Sequence, residues 1–592
     1  MDLNSFIRRR LSSLPLSGPT TTLTPSPSSS SSYKRLGSAA MRPTTVLAAC
    51  SVTVSLLIVC LISLTIRNPP SDRLLGFADA RVLDNLRPNS TGTTPPPLLR
   101  QPASFGEGSK FHNEGDEEKL LGGLLAPGFD EAACMSRYSA HLYRKASPFK
   151  PSSYLVSRLR SYEDLHSRCG PGSESYNVAL EQIKSGKRVV PRDSEGCEYV
   201  VWISFSGLGN RILSLASTFL YALLTNRVLL VDGGTDMEDL FCEPFLQRSW
   251  LLPADFPLID RFGQFGQNTS SSYGNLVKSN ALKTEDELIP PYLYLHLAHD
   301  YGDHDKLFFC AEDQALLAKI PWLIVKTDNY IVPSLFLIDS FEQELSKLFP
   351  EKGTVFHHLG RYLFHPSNPV WGLITRYYHA HMANADERIG VQIRVFDART
   401  GPLNHVWDQI LACTLKEKLL PEVNTQESVV VPPKNPKLKS ILVTNLYLGY
   451  SDLLSNMYWE SPTTTGDIIW VHQPSHEEVQ QTEKRGHNRK AWAEMYLLGL
   501  NDVLVTSSWS TFGYVAQGLG GLRPWILYKP ENDMAPDPPC GRAMSIEPCF
   551  HAPPFYDCKK KVGIDTGKIV PHVRHCEDMS WGLKIVDGHH EL

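Results

Sequence analysis

Arg394 closes the run Ile389-Gly390-Val391-Gln392-Ile393-Arg394-Val395, in which apolar residues alternate with glycine, glutamine and arginine. A period of two reads as an inner strand, and an arginine at its end would face a cleft. A guanidinium is a planar fork of donors that stays charged, which suits it to a diphosphate and to the charge that grows there as a leaving group departs. A strand arginine paired with a structural carboxylate is the competing reading. Asp328 is the second candidate, because it follows the apolar run Trp322 to Val325 and so emerges at a strand end. Open α/β sheets bind ligands there, and one carboxylate could take a proton from an acceptor hydroxyl. An aspartate in a turn can instead bond its own backbone.

Two glycine- or serine-rich turns offer anion sites. In the first, Gly207 and Gly209 permit a tight turn and close approach of a ligand, with Asn210 and Arg211 at a helix start where N–H groups favour anions. Ile212 stands where a dinucleotide fingerprint has its third glycine, so a structural turn and a substrate-contacting loop both fit. In the second, Ser507, Ser508, Ser510 and Thr511 precede another helix, and Trp509, Phe512 and Tyr514 could lie against a base or sugar. A simple N-cap would need only one of those hydroxyls. Asp303 and Asp305 have the spacing of a carboxylate pair that holds a divalent cation on a diphosphate, but they sit in a polar loop and not directly after a strand. The late cysteines with His551, His572 and His575 lack CxxC or HxxxH spacing, so no metal site is expected.

The elements that must carry these residues alternate. Residues 199–234 read strand, turn, amphipathic helix, strand; 501–528 repeat that order; and 440–448 and 467–473 read as short strands, with a helix over 491–500. Such alternation implies parallel sheets in two Rossmann-like domains facing a cleft, placed at 127–375 and 376–592, the second ending in a cysteine-rich segment. With 592 residues the chain exceeds one ordinary domain, and a net charge of -5 leaves no basic field for nucleic acid.

Residues 1–43, rich in serine, threonine and proline, read as a disordered cytosolic tail. Thr44 to Ile66 carries no charge and is long enough to span a bilayer; the cations before it against Asp2 keep the N-terminus cytosolic. Residues 67–126 read as a lumenal stem, and a cleaved signal peptide is the less favoured alternative. Asn89 and Asn268 open glycosylation triplets. Ten of the twelve cysteines lie beyond the apolar run and would mostly pair in an oxidising compartment.

The stretches GLGNRILSLASTFLYALLTNRVLLVD, KTDNYIVPSLFL, IGVQIRVF and SSWSTFGYVAQGLGGLRPWIL resemble the motifs of plant xyloglucan (galactoside 2-alpha-L-) fucosyltransferases. The resemblance implies a single-pass type II Golgi membrane enzyme of the GT-B class, inverting, using GDP-fucose and needing no metal. It implies that Arg394 contacts the GDP diphosphate, that Ser510, Thr511, Phe512 and Tyr514 border the nucleotide, and that Asp328 assists the acceptor. The expected acceptor is the 2-hydroxyl of xyloglucan galactose. Arabinogalactan-protein glycans, a lumenal glycan-binding protein without catalysis and a metal-dependent transferase are the alternatives; a homo-oligomer stays open.

Overall fold

The computed structural model describes residues 118–186, 196–282, 289–395, 403–446 and 449–587. The expected tail, the membrane helix at 44–66, most of the stem and Asn89 lie outside the described residues, but the end of the expected stem does not: Leu124 and Leu125 are buried in the core, so the head begins before residue 126. Asn268 is described and exposed. No helix among the described residues is long and apolar enough to cross a membrane.

Helix α1 (Ser153–Cys169) begins where Ser152 accepts from the Leu155 N–H and buries Leu155, Leu159 and Tyr162. The first sheet follows: β1 (Tyr199–Ile203), α2 (Leu208–Thr225), β2 (Val228–Val231), β3 (Tyr292–His296) and β4 (Trp322–Lys326). Its strands are all parallel, in the order β2-β1-β4-β3. Helix α2 is buried on nearly every side and not only on one face, as its sequence suggested. The reason is that it packs on β1 and also on helices contributed from later in the chain.

Helices α3 (Val355–Leu363) and α4 (Asn368–His381) lead into the second sheet. That sheet holds β5 (Glu387–Gln392), β6 (Leu438–Thr444), β7 (Ile468–His472), β8 (Val503–Ser507), β9 (Trp525–Leu527) and β10 (Cys540–Arg542), with α5 (Arg485–Leu498) before β8 and α6 (Thr511–Gly520) after it. The order is β10-β9-β8-β5-β6-β7, parallel except for β10. Strand β5 is central and buried on both faces, so Gly390 and Gln392 are as enclosed as Ile389 and Val391. Helices α2, α3 and α6 pack together between the sheets. Gly518 makes this possible, since a Cβ there would lie 2.3 Å from Cδ1 of Phe356.

Beyond β10 the chain does not stay with the second sheet. Cys310–Cys558 ties it back to the first half, Tyr301 donates to the Ala552 carbonyl at 2.7 Å, and Asp587 accepts from the Gly353 N–H at 2.8 Å. Strands β11 (Val573–His575) and β12 (Leu583–Ile585) form a small antiparallel pair in this returning segment. Of the four cysteines from Cys540 onward, only Cys549 and Cys576 pair with each other. The other disulfides are Cys134–Cys242, Cys169–Cys197 and Cys413–Cys540, so all ten are used. Each closure constrains the unfolded chain and contributes roughly 2 to 4 kcal/mol. Strong reductant should therefore lower the thermal midpoint of the head clearly, and an unchanged midpoint would refute this pairing.

The returning segment also buries a carboxyl. Glu547 accepts from the Tyr330 hydroxyl at 2.5 Å and from the Phe356 N–H at 2.8 Å. Burial pushes its pKa up from the ordinary ~4.3 to about 8. The native state thus keeps a proton that the unfolded chain releases, and this contribution to stability is lost as pH rises from ~4.3 toward about 8. Glu547→Gln should gain on the wild type over that window in denaturant midpoint; a difference independent of pH would count against a protonated Glu547.

Candidate active site

The C-terminal ends of β1, β5 and β8 point into one cleft between the sheets, with a cavity volume of ≈ 340 Å³. That lies within the ~300–1,000 Å³ of typical ligand pockets. Its lining brings together Gly207, Gly209, Asn210, Arg394, Ser510, Thr511 and Phe512, seven of the residues singled out by sequence.

Two strand-turn-helix units meet there with matching geometry. Helix α2 starts after Gly207 and α6 after Ser510, so both present their unpaired first-turn N–H groups at the cleft. Each turn holds a non-glycine residue in the left-handed region, Ser206 at φ 72° and Trp509 at φ 60°. Such residues persist only where surroundings hold them, and Asp578 holds Trp509: its Oδ2 accepts the Trp509 N–H at 2.9 Å and its carbonyl accepts from the indole. The helix starts also touch. Asn210 Oδ1 accepts from the Thr511 hydroxyl at 2.7 Å, and a Cβ on Gly209 would lie 2.7 Å from Thr511 Oγ1 and 2.9 Å from its carbonyl carbon. Gly209 is therefore a packing requirement as well as a turn residue.

Arg394 lies two residues beyond the end of β5, half-buried, its N–H donating to Ser507 Oγ at 2.9 Å. Nη1 reaches Gln480 Oε1 at 3.4 Å, a long contact that leaves the guanidinium in the cleft lining. Ser507 thus positions the arginine. Ser508 turns away to the Leu527 carbonyl.

Asp328 follows β4 as expected, but its carboxylate does not line the cleft. Its side chain is 7% exposed, and both oxygens meet His299: Oδ1 accepts the backbone N–H at 2.9 Å and Oδ2 lies 2.6 Å from Nδ1. Its main-chain carbonyl accepts from Asn210 Nδ2 at 3.2 Å, which joins it to the cleft wall.

Two expectations are corrected. Arg211 is not in the loop that faces the ligand: it is 4% exposed and forms a two-pronged pair with Asp236, Nη1 to Oδ1 at 2.7 Å and Nη2 to Oδ2 at 3.3 Å. One helical step past Asn210, its side chain points into the interior and not toward the turn. Tyr514 is 1% exposed and donates to Asp578 Oδ2 at 2.6 Å, so it supports the turn from behind and offers no face to a base.

The weighed metal sites do not converge. Asp303 is exposed and pairs with Lys306, while Asp305 is buried against Gly302 and Gly274. The sulfurs of Cys549 and Cys576 are joined to each other, and His575 is bonded to Asp565 at 2.7 Å.

Sequence reasoning missed several cleft residues. His551 lines the cleft and stands 3.2 Å from the Tyr514 hydroxyl. Burial lowers its pKa against the raising influence of Asp578 and Asp328. Lys490 pairs with Glu477 at 2.5 Å, and Glu494 accepts from the Ser475 N–H at 3.0 Å. Burial pushes Glu494 up to about 7. All four of His551, Lys490, Glu477 and Glu494 line the cleft, and no short motif marks them.

The family model for xyloglucan fucosyltransferase matches residues 102–559. The galactoside 2-alpha-L-fucosyltransferase of Arabidopsis thaliana is 61% identical over 93% of this chain and 94% of its own length. The enzyme of that name from Pisum sativum is 58% identical, over 89% of each chain. Among solved structures, a mutant of Arabidopsis thaliana FUT1 in complex with GDP is 66% identical, covers 79% of this chain and 100% of that one, and superposes with a TM-score of 0.75.

Proposed function

This chain belongs to the xyloglucan fucosyltransferase family, and from that premise we propose that it transfers L-fucose from GDP-fucose, with inversion, to the 2-hydroxyl of xyloglucan galactose. The observation that carries the reading is the placement of Arg394 in the same cleft as the starts of α2 and α6. A nucleoside diphosphate carries its charge in a compact group, and a fixed guanidinium with two sets of aimed N–H groups matches it without reorganisation at the moment of reaction. Phe512 and Trp509 supply apolar surface beside those donors for the rest of the donor substrate.

The chemistry asks for orientation, neutralisation of the departing GDP and a proton acceptor on the acceptor side. Arg394 and the helix starts serve the first two, and Asp328 stands on the acceptor side at the end of β4. No divalent ion enters the proposed step, because this cleft already directs cationic and N–H donors at one place. Transfer should accordingly persist unchanged in EDTA; a chelator-sensitive rate restored by Mg²⁺ or Mn²⁺ would contradict that part.

The division near residue 375, a type II anchor at 44–66, a stem ending before the buried Leu124 and a lumenal Golgi location complete the proposal. The uncharged run Thr44 to Ile66 and the cations before it support them. A head starting before Glu118, which keeps the buried Leu124 and Leu125, offered GDP-fucose and a panel of wall oligosaccharides, tests the reading by product mass and linkage. An α-1,2-fucosylated xyloglucan oligosaccharide is expected. Exclusive labelling of arabinogalactan glycans would replace the acceptor, and binding of glycan without GDP release would replace catalysis.

A further inference from the structure

We propose that His299, held by Asp328, is the proton acceptor for the acceptor hydroxyl, so that the working group is an imidazole and the aspartate is its positioning residue. The inference rests on the fucosyl-transfer reading and deepens it.

The geometry has three parts. First, Asp328 meets His299 twice, through the backbone N–H at 2.9 Å and through Nδ1 at 2.6 Å. A carboxylate can only accept, so Nδ1 carries the proton, and the neutral ring is left with Nε2 as its basic atom. Secondly, the two side chains differ in access: Asp328 is 7% exposed and His299 65%. A polymeric glycan hydroxyl arriving from solvent reaches the imidazole before it reaches the carboxylate. Among the described residues Nε2 has no protein partner. Thirdly, the pair is tied to the donor cleft, since Asn210 donates to the Asp328 carbonyl at 3.2 Å while accepting from Thr511 at the start of α6.

The acceptor oxygen attacks the anomeric carbon of fucose, the bond from that carbon to the β-phosphate oxygen breaks, and GDP departs with the electron pair. The hydroxyl proton passes to His299 Nε2, giving an imidazolium that faces the Asp328 carboxylate and then releases its proton to solvent. This is the arrangement by which a buried carboxylate fixes the tautomer of a base and stabilises its charged form.

The test compares variants of the full-length enzyme in GDP-fucose transfer to a galactose-terminated xyloglucan oligosaccharide. His299→Asn keeps a donor for Asp328 but has no Nε2, and should lower kcat by ~10² or more with GDP affinity and melting unchanged. Imidazole added to His299→Ala should restore part of the rate, which a structural role would not allow. Wild-type kcat in His299→Asn, or a slow Asp328→Asn beside a normal His299→Asn, overturns the inference and leaves the carboxylate as the base. Failure of the wild-type enzyme to transfer fucose to any glycan would instead sink the proposed function.

Discussion

Replacing Arg394 with lysine is expected to lower turnover of GDP-fucose by ~10² or more and to weaken GDP binding, while the protein still folds. Lysine keeps a positive charge but swaps a rigid fork for a mobile point charge with a different reach. The N–H of residue 394 donates to Ser507, and that bond survives any side-chain change. The side-chain contact to Gln480 is long, at 3.4 Å. An ordinary strand arginine in a structural pair would give the opposite pattern, with stability falling and GDP affinity holding. Steady-state rates, GDP titration and a melting curve on one preparation separate the two.

Asp236→Ala should produce the largest loss of stability in this set. It leaves the Arg211 guanidinium buried without its counter-charge, and breaking a buried pair by removing one partner costs ~3–5 kcal/mol. Asp236 also accepts from Asn488 on α5, so the change loosens the contact between α2 and the second half of the head. For comparison, Glu181→Ala removes the exposed pair to Lys184 and should shift the denaturant midpoint by the ~0–1 kcal/mol of a surface pair at most. If Arg211 were instead a ligand contact, Asp236→Ala would alter GDP affinity and leave the midpoint in place.

These two arginines show what the sequence could and could not reveal. The strand-turn-helix units around Gly209 and Ser510 were legible because turn residues and apolar periods are local signals, and they carry Arg394 and the helix starts to one place. Arg211 was misplaced because a cation at a helix start reads alike whether it faces a ligand or an interior carboxylate. Its partner Asp236 stands in a later loop, and nothing local announces their meeting. The same holds for Asp328: its position at a strand end was readable, but its bond to His299 joins two loops separated by β4 and the residues before it. Tyr514 was taken for a surface ring because the Asp578 that buries it arrives from the returning C-terminal segment. The near-complete burial of α2 has a similar cause, since α3 and α6 cover it from later in the chain. Where an element's surroundings are supplied by distant sequence, periodicity gives its type and not its role.

In the proposed reaction the donor's diphosphate sits between the starts of α2 and α6 under the Arg394 guanidinium. A crystal structure of the head with GDP bound tests it most directly. The β-phosphate is expected within hydrogen-bond reach of Arg394 and of first-turn N–H groups of one or both helices, with Phe512 or Trp509 against the nucleoside. GDP seated elsewhere, or a diphosphate in this cleft held by other cations while Arg394 turns to a protein carboxylate, would contradict it.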